Sequence, residues 1–225
     1  MVLLHGRGAR PGLLVTVLAA TAVVTACGGG DRSAPASLAD VSNDSSGFTG
    51  TLLRPPVPRP ALVLPDTSSR TFDLRSRPRN ELTVLFFGYT NCPDVCPTTM
   101  ADLAAATRAL PGAVRARTTV VFVTEDPKRD TPTVVRAWLN RFDRHFTGLI
   151  GGGASTSSVL SQLHLPATAL RSPTDDRPEA PGSVEHSGIV YVFGATATLL
   201  YTGGATPGQY ARDLTRLANL DGQAH

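Results

Sequence analysis

Runs of apolar and polar positions along the chain change their period from segment to segment, and each period predicts an element. "LTVLFFGY" and "RTTVVFVTED" are almost continuously apolar, the pattern of central strands covered on both faces. "ALVLP" and "RTFDLR" flank the turn residues "DTSS", with Phe72 and Leu74 alternating against polar neighbours, and predict a hairpin. "SGIVYVF" and "TATLLYTGG" predict a second one. Helical spacing takes over elsewhere. Met100, Leu103, Ala104, Thr107 and Leu110 recur on one face until Pro111 and Gly112 stop the run. In "KRDTPTVVRAWLNRF", Thr131 is placed to cap a helix, Pro132 occupies its first turn, and Val134, Val135, Trp138, Leu139 and Phe142 form its apolar face. A short helix over "SSVLSQL" follows Gly151 to Gly153. Those glycines precede no Lys-Ser/Thr phosphate signature and read as a loop. "TPGQYARDLTRLANL" closes the series with Tyr210, Leu214 and Leu217 on one side.

The order is a β-hairpin, β, α, β, α, α, ββ, α. Parallel crossovers followed by an antiparallel hairpin predict an α/β fold with a mixed central sheet flanked by helices, thioredoxin-like, with an added N-terminal β-hairpin.

The ends change the picture. Arg7 and Arg10 precede about sixteen mostly apolar residues that stop at Cys27 in "VTAC", the layout of an export signal ending in a lipobox. Residues 1–26 are expected to be a lipoprotein signal peptide, with Cys27 the lipidated first residue of a protein on the outer face of the cell membrane. Gly, Ser, Asp and Pro dominate the next segment, which predicts a flexible linker over 27–56 and one domain over 57–222. A flexible tether of about 29 residues reaches roughly 30 Å. Removing residues 1–26 takes both arginines and no acidic residue, so the net charge of +3 falls to +1. Without a basic stripe interleaved with aromatics, nucleic acid is not an expected partner.

Three cysteines in the whole chain, one assigned to the anchor, leave Cys92 and Cys96 as a pair in "CPDVC". A disulfide scaffold uses more cysteines, so the pair reads as a site. The fold places such a loop at the mouth of a helix, where free N–H groups and the helix dipole favour thiolates. Two thiolates can exchange electrons with another disulfide or hold a soft metal ion. Three intervening residues, in place of the two of most redox pairs, splay the sulfurs around an ion and still permit a Cys92–Cys96 disulfide. His186, in "VEHSG" just before a strand, stands where thioredoxin-like reductases carry a cis-proline, and supplies a third donor. Two sulfurs and an imidazole suit copper(I); a structural zinc site would want a fourth ligand. His145, His164 and His225 read as surface or packing residues, Met100 as core, Asp94 as solvated or a local cap, and Asp126 and Asp130 as turn and cap residues. A peroxiredoxin-type peroxidase would need a Pro-x-x-x-Thr-x-x-Cys run that "FFGYTNC" lacks.

"GYTNCPDVCPTTM", "VFVTEDPKRDTP", "WLNRFDRHFTGLIG" and "VEHSGIVYVF", in this order, resemble the Sco (SenC/PrrC) family of copper proteins in cytochrome c oxidase assembly. The likeness covers roughly residues 57 to 220. It implies Cys92, Cys96 and His186 as copper ligands, with Cu(I) and also Cu(II) as the ion. It further implies delivery of copper to the Cu_A centre of cytochrome c oxidase subunit II, other copper chaperones as partners, and a metallochaperone rather than an enzyme that turns over. The alternative is a thiol-disulfide oxidoreductase that reduces the Cu_A-site cysteines through Cys92 and Cys96. Glu185 stands where the family usually has aspartate, and "FGATATLLY" replaces its Asp-Pro-x-Gly turn.

Overall fold

The structure, a computed structural model, describes residues 47–165, 169–170, 184–185 and 188–223. The expected signal peptide, Cys27, His186 and His225 lie outside the described residues.

In chain order the elements are β1 (Thr51–Leu53), β2 (Val63–Pro65), β3 (Thr71–Asp73), β4 (Leu82–Gly88), α1 (Val95–Ala109), α2 (Gly112–Arg115), β5 (Thr118–Thr124) and α3 (Pro132–Leu139). They continue as β6 (Thr147–Ile150), α4 (Gly153–Gln162), β7 (Ala169–Leu170), β8 (Val184–Glu185), β9 (Val190–Phe193), β10 (Thr198–Tyr201) and α5 (Pro207–Gln223). The main sheet has the order β1-β10-β9-β4-β5-β6. β4, β5 and β6 run parallel, while β9 is antiparallel to both β4 and β10. This is the expected mixed sheet of a thioredoxin-like fold.

β4 is buried along its whole length because both faces are covered. Val84 and Phe86 pack with Cys96, Met100 and Leu103 of α1, Trp138 of α3 and Leu214 of α5. Leu85 and Phe87 point the other way, onto Leu160 of α4 and Leu64 of β2. α5 starts with a reciprocal cap: Gln209 N–H donates to Thr206 Oγ1 (3.3 Å), and Gln209 Oε1 accepts from the Thr206 amide (2.8 Å).

Four expectations need correction. Thr51–Leu53, assigned to the linker, pair with β10 as an edge strand, so the domain begins before residue 57. "TGLI" is a strand, β6, paired along β5. Val134 is 42% exposed rather than on the buried face of α3, because Val135, Trp138 and Leu139 already fill the core side. Pro111 and Gly112 end α1 but open the single turn α2. The predicted N-terminal hairpin, β2 with β3, forms as its own two-stranded sheet and touches the main sheet where Asp66 bridges Leu149.

Two buried aspartates of α5 tie the chain's outlying parts to the core. Asp213 accepts from the amides of Thr49 (2.9 Å) and Gly50 (3.0 Å) and from the Tyr201 hydroxyl (2.9 Å), which fixes β1 in place. Asp221 accepts from the amides of Ala195 and Thr196 (2.9 Å each) and from Thr196 Oγ1 (2.6 Å). It thereby shapes the β9–β10 turn. Asp213→Ala is expected to cost about 2–4 kcal/mol, since three donors lose a buried acceptor. Urea unfolding measures that loss, and hydrogen exchange should show residues 49–53 opening first.

Candidate metal centre

β4 ends at Gly88, and the chain passes through buried Tyr89 to the thiol loop. Gly88 is required here by close approach: a β-carbon on it would stand 2.7 Å from Cys96 Sγ and 3.1 Å from Phe122 Cε2. The loop then lifts outward. Asn91, Pro93, Asp94 and Val95 are exposed and Cys92 is half-buried, before Cys96 turns back into the core at 0% exposure. Both cysteines are free thiols in this structure, not joined by the disulfide that their spacing permits. Instead Cys92 Sγ accepts the Cys96 amide at 3.4 Å, a sulfur doing the work of a helix cap. Asp94 holds the N-cap position without a side-chain cap bond, and its carboxylate is exposed.

The expectation of two ready thiolates fails at Cys96. Burial pushes its thiol far up from the ordinary value, and the Cys92 hydrogen bond and charge and the charge of Glu125 push the same way. A hydrogen bond from the Tyr89 backbone opposes them and loses. Desolvation outweighs the helix terminus because the sulfur lies against Gly88 and Phe86, not at the wet end of the helix. A bound cation reverses that balance by supplying the counter-charge.

Among the described residues, no group of three or more His, Cys, Asp or Glu side chains is placed to hold a metal ion. Two sulfurs are therefore what the described residues offer a metal ion at this loop. The described chain on the near side of the remaining candidate, His186, resumes at Gly188, where a β-carbon would stand 3.3 Å from Val95 Cγ1. Val95 directly precedes Cys96. Glu185, on the other side, lies in β8 opposite Ala169.

The remaining residues fall as follows. Met100 is core at 0% exposure. His145 is exposed with Nδ1 2.9 Å from Asp143, and His164 is exposed at a positive φ. Asp126 closes its turn on Arg129, as expected. Asp130 is not the cap expected of it, since Thr131 caps α3: it is 1% exposed and binds Thr90 of the thiol loop, a link no local pattern signals.

The SCO1/SenC family pattern matches residues 63–219. A putative copper-binding protein of Stutzerimonas stutzeri is 33% identical over 142 residues, which is 62% of this chain and 66% of that protein. Two further relatives are matched over 58% and 54% of their length. Among solved structures, copper-bound ScoI of Bradyrhizobium japonicum superposes with a TM-score of 0.60 at 27% identity, over 71% of this chain and 98% of that one. Apo Sco1 of Thermus thermophilus gives 0.60 at 28%, over 78% and 96%. With its fold, its thiol loop and the matched residues in agreement, the chain belongs to the SCO1/SenC family.

Proposed function

We propose that this protein is an extracytoplasmic copper metallochaperone, anchored to the membrane through Cys27, which delivers copper to the Cu_A site of cytochrome c oxidase subunit II. The carrying observation is the sulfur pair: a half-exposed thiol, whose sulfur accepts the backbone amide of Cys96, and the buried Cys96 thiol stand together at a helix mouth, a soft donor set suited to copper(I). Further support comes from Gly188, whose backbone lies on Val95 between the two sulfurs in sequence. His186 is two residues away, and two residues of extended chain span at most about 7 Å. Copper is cargo here: Cys92 and Cys96 would take it as thiolates, with His186 as the third donor. Relatives named for copper, or solved with it bound, favour that ion.

The test is anaerobic copper(I) titration of the reduced protein, with X-ray absorption to count neighbours. One ion per chain with two sulfurs and one nitrogen is expected, and binding without sulfur neighbours would end the proposal. A second reading, a thiol-disulfide reductase acting on the oxidase cysteines, is favoured by the half-exposed Cys92. Its sulfur can be reached from solvent while Cys96 waits behind it as the resolving thiol.

A further inference from the structure

Asp130 lies forty residues after Thr90, at the far end of the β5–α3 connection, yet its carboxylate reaches into the thiol loop. Oδ2 accepts the Thr90 amide at 2.9 Å, Oδ1 accepts the Thr90 hydroxyl at 2.5 Å, and Oδ2 also accepts the Thr124 hydroxyl at 2.5 Å. Thr124 Oγ1 in turn accepts the Asp126 amide at 3.0 Å, and the Asp130 amide donates to the Asp126 carbonyl at 2.9 Å. Thr124 is the last residue of β5 and is fully buried, and Asp130 is 1% exposed. Every hydrogen bond runs into the carboxylate from a donor that is fixed by the sheet or by the loop. Thr90 is two residues before Cys92, whose own amide donates back to the Tyr89 carbonyl at 3.3 Å. The loop's first half therefore has a rigid attachment outside its own strand.

We infer that Asp130 is the positioning residue of the metal-binding loop: by bolting Thr90 to the end of β5 it sets where Cys92 Sγ sits relative to Cys96. This deepens the copper reading and rests on it for its metal arm. Asp130 touches no cargo and acts only through Thr90. In Asp130→Asn one oxygen keeps the Thr90 amide and the Thr124 hydroxyl, the NH₂ group can only donate to a Thr90 hydroxyl turned to accept it, and the charge that strengthens all three bonds is gone, so the attachment is weakened.

The test compares two buried carboxylates with the same task in different places. Asp221 likewise accepts three hydrogen bonds, from two amides and one hydroxyl, but it holds the β9–β10 turn through Ala195 and Thr196. In the reduced full-length protein, Asp130→Asn and Thr90→Val are expected to lower copper(I) affinity by about 10–100-fold, the usual cost of removing a support behind a metal ligand. Chelator competition reads that change. Asp221→Asn should lower the melting temperature at least as much while leaving affinity within about threefold, as distant sites act independently. Thr90→Ser keeps both donors and should behave as wild type.

A second readout needs no metal. Oxidised glutathione converts the two thiols to one disulfide, taking two electrons and two protons and becoming two molecules of reduced glutathione. The intramolecular closing step should slow by about tenfold or more in Asp130→Asn, since misplacing one reacting sulfur lowers its effective concentration. Equal changes in Asp130→Asn and Asp221→Asn, or none in either, overturn the inference. If the wild type fails to bind copper but closure still slows in Asp130→Asn, the copper reading falls and the positioning role stands. If Asp130→Asn does not fold, Thr90→Val, which removes one hydrogen bond of three, decides by the same two readouts.

Discussion

His186→Ala will strip the reduced protein of tight copper(I) binding and leave its two sulfurs able to close into a disulfide. The described residues supply two thiols and no third His, Cys, Asp or Glu grouped with them, so on the proposed function the imidazole is the difference between a site that retains the ion and one that passes it to any competing thiol. Removing a ligand should cost more than the roughly 10–100-fold lost with a supporting partner. Competition with a chromophoric chelator measures the affinity, and glutathione-driven closure of Cys92 with Cys96 measures the thiol chemistry. Cys92→Ser should lose both properties. An alanine variant that held copper as tightly as the wild type would remove His186 from the site and favour the reductase reading, in which the histidine has no required part.

Acidification should release the metal, and Cys96 gives the direction. Burial keeps its thiol protonated throughout the neutral range, so taking up copper as a thiolate must expel that proton. By linkage, affinity rises about tenfold per pH unit from Cys96 alone, or about 100-fold between pH 6 and pH 8. An imidazole ligand would add a further loss below about pH 6.5. Chelator competition across a pH series, together with proton release in weak buffer, checks both statements; an affinity flat in pH would mean that Cys96 does not bind as a thiolate. For the metal-free protein the sign is different. The folded chain keeps a Cys96 proton that the unfolded chain loses above 9.0, so this contribution to stability is complete below that pH. Above it the contribution declines by about 1.4 kcal/mol per pH unit.

Elements covered on both faces were the easy ones to read. β4 and β5 are unbroken apolar runs because helices and the small hairpin shield both sides, and the apolar faces of α1 and α5 repeat at 3.6 residues. β1 and β6 escaped notice for the opposite reason. "TLL" and "TGLI" are too short to show a period, and their strand geometry comes from β10 and β5. The thiol pair stood out by its spacing in a chain poor in sulfur, whereas the protonation of Cys96 did not: its helix position argues for a thiolate, and only the packing of Gly88 and Phe86 around the sulfur overrides that. Asp130 looks like any turn residue in "PKRDTP", since its partner Thr90 becomes a neighbour only once β4 and β5 lie side by side.

β1 matters beyond its three residues. It fills the flank of β10, whose N–H and C=O groups would otherwise form an open template, and at the opposite margin the turn of the small hairpin meets β6 through Asp66 and Thr67. A chain trimmed at residue 57, where composition alone would start the domain, would lose that guard. Its bare margin would invite strand-to-strand stacking between molecules, seen as oligomers that the chain retaining β1 does not form.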